Sequence, residues 1–105
     1  MNQSIKIYLG VPQTEKIPVL KVDERQRVTA TKMIFTNTED TDAKLTITVN
    51  TIDVMKNFVV KAGETKFLDV SIVLDPKDTL LIKQEKENAI NVNISGTVEI
   101  IPVTY

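Results

Sequence analysis

Three carboxylates, Glu39, Asp40 and Asp42, crowd one short stretch beside Thr38 and Thr41. Hard oxygen donors gathered in this way are what a Ca²⁺ ion takes. The stretch lacks the glycine and the distal glutamate of a calcium loop, so a solvated turn is the reading it supports. Ser95-Gly96-Thr97 sets a hydroxyl beside a glycine, but an activating base must be in reach, and the chain has no histidine. Gly96 reads instead as a bulge or a place where another backbone comes close. Asp75 and Asp78 flank Pro76, where carboxylates act as turn formers. Cysteine is absent together with histidine, which removes thiolate nucleophiles, imidazole bases, structural zinc and disulfides at once. No enzymatic activity and no cofactor are expected. A sugar-binding platform needs stacking aromatics. There is no Trp, and Tyr8 and Tyr105 stand at opposite ends of the chain, where pairing of the terminal strands either joins them or merely closes a sandwich edge. Single-strand nucleic-acid binding fails on the same shortage.

The elements that carry these residues are strands. From Ala89 to Pro102, Ile90, Val92, Ile94, Gly96, Val98 and Ile100 alternate strictly with Asn91, Asn93, Ser95, Thr97 and Glu99. A period of two over that length is a strand with one dry face and one wet face. Val, Ile and Thr contribute 13, 12 and 13 of the 105 residues, more than a third of the chain, and β-branched residues favour a pleated sheet. A chain this short builds one core. The expectation is an all-β, antiparallel β-sandwich of about eight strands, Ig-like or jelly-roll in topology. Thirteen basic and fourteen acidic side chains, scattered singly, give a net charge of −1 and argue against a dedicated nucleic-acid surface. No apolar run approaches the ~20 residues that span a bilayer, and residues 1–10 are not built like a secretory signal. A soluble chain without membrane partners, made in a cytoplasm, is expected.

Strands are predicted at 4–9, 17–22, 27–37, 43–50, 55–61, 65–74, 79–85 and 89–102. Pro18 confines its strand to a start or an edge, because proline cannot donate to a ladder. Leu45, Ile47 and Val49 face inward, as do Leu68, Val70, Ile72 and Leu74. Ala62-Gly63-Glu64 suits a hairpin between 55–61 and 65–74. Asp75-Pro76-Lys77-Asp78 suits a type I turn. Residues 83–87 have good helix propensity, but an isolated helix shorter than ~12 residues is marginal, so strand and hairpin tip are preferred. Residues 1–16 are either the first strand or an arm that docks on a neighbour, with the sandwich domain at 17–105.

A second apolar set falls on the parity opposite to the inner rows: Met33, Phe35, Val59, Phe67, Val73, Leu81 and Ile101. One sandwich has one interior, so these residues face solvent, loops or another chain, unless bulges turn some of them inward. Phe35, Phe67, Val73 and Leu81 are the candidates for an intersubunit patch, with Ile5 and Ile7 on the possible docking arm. A closed ring of identical subunits is a common way to bury such a patch.

The run Pro18-Val19-Leu20-Lys21-Val22, a short polar turn, and then Arg27 to Thr38 (RVTATKMIFTNT) resembles the opening of a group of small β-sandwich proteins encoded among tailed-phage structural genes. Val60 to Thr65, Val73 to Leu80 and Val92 to Glu99 match the remainder in order. The likeness covers most of the chain from Ile17 onward. It implies an accessory, non-catalytic part of a virion, at the capsid, neck or tail, with other virion proteins and further copies of itself as partners. The chain departs from the usual pattern at Lys77, in a turn that often holds glycine, and in its first sixteen residues. A second expectation, from a different class, is a carbohydrate- or host-surface-binding module using Tyr8 or the loop Glu39 to Asp42.

Overall fold

The computed structural model describes residues 2–102, the side chain of Asn2 excepted. Among the described residues eight strands form and no helix does: β1 (Asn2–Gly10), β2 (Ile17–Lys21), β3 (Gln26–Asn37), β4 (Ala43–Val49), β5 (Ile52–Val60), β6 (Thr65–Leu74), β7 (Thr79–Gln84) and β8 (Ile90–Ile100). They make two four-stranded antiparallel sheets, the first in the order β1-β8-β3-β6 and the second in the order β2-β7-β4-β5. Consecutive strands change sheet at every step except β4 to β5. That order is the double Greek key of a jelly roll, which decides between the two topologies the alternation allowed.

The turn at Ala62-Gly63-Glu64 therefore does a different job from the predicted hairpin. Glu64 N–H donates to Lys61 O at 3.0 Å and Gly63 takes φ +69°, so the chain does reverse there. It passes, however, from β5 in one sheet to β6 in the other. Asp75-Pro76-Lys77-Asp78 likewise carries the chain between sheets, with Asp78 N–H on Asp75 O at 3.0 Å. Lys77 at φ +72° fits the third position of a type II turn, not type I, and that is the position where glycine is favoured.

Between the sheets lies the interior: Val28, Ala30, Met33 and Phe35 of β3, Leu45 and Ile47 of β4, Leu80 and Ile82 of β7, and Ile90, Val92 and Ile94 of β8. Phe35 meets Phe58 edge to face, their ring centroids 5.8 Å apart. Two buried amides stand at one end of this core, both beside Ile90. Asn37 Nδ2 donates to Thr41 O and Val60 O, while its Oδ1 accepts from Glu39 N–H. Gln84 Nε2 donates to Pro12 O, and its Oε1 accepts from Ile90 N–H. The segment after β1 is held by Gln84, which also donates its backbone N–H to Gln13 O. Within this subunit residues 2–10 are an edge strand laid along β8.

Bulges set the parity of the first sheet. Ala30 and Lys32 of β3 face the adjacent residues Gly96 and Ser95 of β8, so Thr31 is an extra residue. Lys6 and Tyr8 of β1 face Ser95 and Ile94 in the same way, leaving Ile7 extra. A Cβ on Gly96 would stand 1.9 Å from Thr29 O. Only a residue without a side chain lets β3 approach so closely, as the sequence suggested for Gly96.

Candidate subunit interface

The bulges sort the candidate patch residues. Before Thr31 the inward positions of β3 are Val28 and Ala30; after it they are Met33, Phe35 and Asn37. Phe35 is thus a core residue, 0% exposed, and not part of a surface patch. Ile7, the extra residue of β1, is turned into the core at 8% exposure, and Ile5 is packed against the same cluster. Both side chains are taken up by their own subunit and are not presented to a neighbour. Leu81 is half-buried on the outer face of the second sheet, opposite Pro18 and Thr48, and so lies apart from β6. Phe67 and Val73 remain exposed, at 74% and 51%.

Phe67 and Val73 belong to the outer row of β6, with Thr65, Asp69 and Ser71; the inner row is Leu68, Val70, Ile72 and Leu74. β6 is an edge strand, and the 61–64 turn links it to β5, the edge of the second sheet, so the two close one flank of the sandwich. Five of the eight large apolar side chains exposed among the described residues lie on these two strands: Ile52, Val54, Val59, Phe67 and Val73. Ile52 and Val54 escaped the sequence reading because β5 begins three residues before its predicted start. Its register against β4 breaks twice and Asn57 takes φ +51°, so no alternation marks the strand. Leu9, exposed on the opposite edge strand β1, carried only a weak signal, a leucine next to a glycine-proline turn.

Polar contacts steady the flank. Thr48 Oγ1 donates to Asp53 Oδ1 at 2.7 Å and Lys16 Nζ reaches the same oxygen at 3.0 Å. The hydroxyl first and the ammonium second hold the Asp53 carboxyl below the usual carboxylate range. Thr46 Oγ1 accepts from Asn57 N–H at 3.1 Å. These contacts bury Thr46 and Thr48 although both lie on the outer parity of β4. At the turn after β6, Asp78 accepts from Asn50 Nδ2 and from Asp75 N–H, which lowers its pKa in the same direction. Asp42 Oδ1 accepts from Ala62 N–H, so that carboxylate caps a turn, and among the described residues no three metal-binding side chains converge. The ring of Tyr8 packs against the core, and partial burial pushes its hydroxyl pKa up. Tyr105, its suggested partner, lies outside the described residues.

The fold and flank together define a jelly-roll sandwich with a filled interior and apolar side chains gathered on two edge strands. No protein-family model matches the sequence, and no curated protein matches it. Solved structures share its fold. The core of Drosophila NLP, whose structure is described as giving insight into pentamer formation and histone binding, is similar over 93% of this chain and 97% of its own. Its identity is 15% and its TM-score 0.54. A chain of infectious bursal disease virus, Gt strain, is similar over 100% of this chain and 32% of its own, at 13% identity and a TM-score of 0.51. The corresponding Gx-strain structure covers 99% of this chain and 30% of its own, at 14% identity and a TM-score of 0.50. This chain therefore spans about a third of the length of those viral chains. At these identities the likeness is one of fold.

Proposed function

We infer that this chain is a non-catalytic structural subunit that works by associating with other protein subunits. The observation that carries this reading is the concentration of exposed Ile52, Val54, Val59, Phe67 and Val73 on β5 and β6, beside a core already complete without them. Single exposed apolar residues are ordinary, but five of them on two consecutive edge strands give an interface apolar surface to bury. The Drosophila NLP core, the same fold at nearly the same length, is described as forming a pentamer, which supports self-association here. The place proposed for the subunit is the particle of a tailed phage, as an accessory protein of capsid, neck or tail. The resemblance of residues 18–38, 60–65, 73–80 and 92–99, in that order, to such proteins supports that place. The carbohydrate-binding alternative has no comparable observation behind it, since the Tyr8 ring is turned against its own core.

Mass spectrometry of density-purified phage particles from the host carrying this sequence tests the place. The chain should be present in fixed ratio to the major head or tail proteins. Recovery from the soluble lysate alone would overturn the virion assignment.

A further inference from the structure

The first sheet has two free edges, β1 and β6, and its rows of paired residues cross it without a break. Leu9 faces Asn93, Asn93 faces Ile34, and Ile34 faces Phe67. In the next outer row Lys6 faces Ser95, Ser95 faces Lys32, and Lys32 faces Asp69. The inner rows between and beside them run from Tyr8 to Leu68 and from Gly10 to Lys66. One outer row thus ends in an exposed apolar side chain at both edges, Leu9 at 61% and Phe67 at 74%. Its neighbour ends in opposite charges, Lys6 and Asp69. The Asp69 side chain is 90% exposed, and among the described residues its ion pair is with Lys32, at 3.7 Å.

We propose that β6 of one copy pairs with β1 of the next, so that Phe67 meets the neighbour's Leu9 and Asp69 the neighbour's Lys6. The proposal rests on the self-association inferred above and names its geometry. The sheet has four strands in alternating direction, edges included, so β6 and a neighbouring β1 run antiparallel when copies stand side by side. A shift of one residue would put inner side chains on the outer face. Shifts of two set Phe67 against Lys6, or Leu9 against Asp69. Of these registers the unshifted one alone matches apolar with apolar and cation with anion. The other edges suit pairing less well: β2 carries Pro18 and a register break beside it, and β5 is twice irregular. Pairing of β6 with a second β6 through the Phe67 and Val73 rows would centre on Val70, beside the extra residue where Ala30 and Lys32 face Ile72 and Asp69. The head-to-tail pairing uses Lys66 to Asp69, which is regular on β6, and meets on β1 the single extra residue Ile7 between Lys6 and Tyr8. Because rows meet without offset, successive copies are related by rotation about an axis along the strands with no step along it. A head-to-tail contact of that kind closes into a ring where its rotation divides a full turn.

Charge reversal and its rescue test this arrangement, read as the concentration dependence of solution mass by light scattering against the 11.8 kDa subunit. Thermal melts check that each variant still folds. The wild-type chain should form a discrete oligomer. Lys6→Glu and Asp69→Lys should each weaken it by tenfold or more, and the double variant should return to within about threefold of wild type. Rescue cannot arise inside one subunit, because the two residues stand three strand spacings apart, about 14 Å. Phe67→Asp, which leaves both charges in place, should also dissociate the oligomer. An oligomer indifferent to all these changes, or single-variant losses without rescue, would overturn the pairing. A wild-type chain that stays monomeric would overturn the ring, while the virion assignment would still stand or fall by particle composition.

Discussion

β8 and β6 belong to the same sheet, differ by one residue in length and alternate equally well, yet they treat their outer faces differently. On β8 the outward residues are Asn91, Asn93, Ser95, Thr97 and Glu99, while on β6 they are Thr65, Phe67, Asp69, Ser71 and Val73. β8 is paired on both sides, by β1 and β3, whereas β6 is paired only by β3. The strand with saturated hydrogen bonding has a wholly polar outer row, and the strand with free backbone groups displays Phe67 and Val73. An edge left apolar is a hazard for a monomer and a resource for an assembly.

The contrast is tested most severely at the centre. Gly96→Ala forces a methyl group against Thr29 O, and the expected cost is on the order of 5 kcal/mol, the whole stability of a small domain. Circular dichroism of the purified variant should show loss of the native β signal; a normal melt would mean that β3 can retreat from β8. Next come the two phenylalanines. Phe35→Ala should destabilise by about 3–5 kcal/mol through the cavity it leaves, whereas Phe67→Ala should change subunit stability by about 0.5 kcal/mol or less. Urea titrations of both variants below the assembly concentration decide this, and equal losses would erase the distinction between centre and flank.

Smaller effects are expected around the flank. Lys77→Gly relieves a left-handed residue after β6 and should add roughly 0.5–1 kcal/mol, seen as a higher melting temperature. The smallest effect is that of pH. Asp53 has a folded pKa below its unfolded value of about 3.9, so its contribution is complete above that pH and is lost as pH falls through the folded value. Melting curves between neutral pH and pH 3 should therefore drop more steeply for wild type than for Asp53→Asn. Superimposable profiles would remove Asp53 from the contacts that steady β5.

Much of the fold was legible because alternation is a local signal. The bounds of β6 are those predicted, and β3, β4, β7 and β8 depart by one or two residues at an end. The helix propensity around Lys83 to Glu87 yielded to pairing of Lys83 and Gln84 with β4, and residues 85–88 form a turn that carries the chain from the second sheet to the first, so it is not the tip of a hairpin. The candidate patch was legible only in part. Phe67 and Val73 are exposed as expected, but Phe35 is buried, because Thr31 adds one residue and reverses the parity of everything after it in β3. On β1 the extra residue acts after Ile7, turning Tyr8 inward and Leu9 outward, while Ile5 and Ile7 share the inner face by ordinary alternation.

The sequence by itself determined that the chain would be strands with one apolar row each, since residues two apart share a face whatever the strand pairs with. It also determined that a glycine stands at residue 96, where a close backbone approach was foreseeable. Which strands share a sheet was decided only in the tertiary structure, because pairing partners such as β1 and β8 are some ninety residues apart. So was the identity of the open edges. An outward Phe67 differs from an inward Phe35 through the bulge between β3 and β8 and the absence of a strand beyond β6, and both are properties of contacts between distant segments.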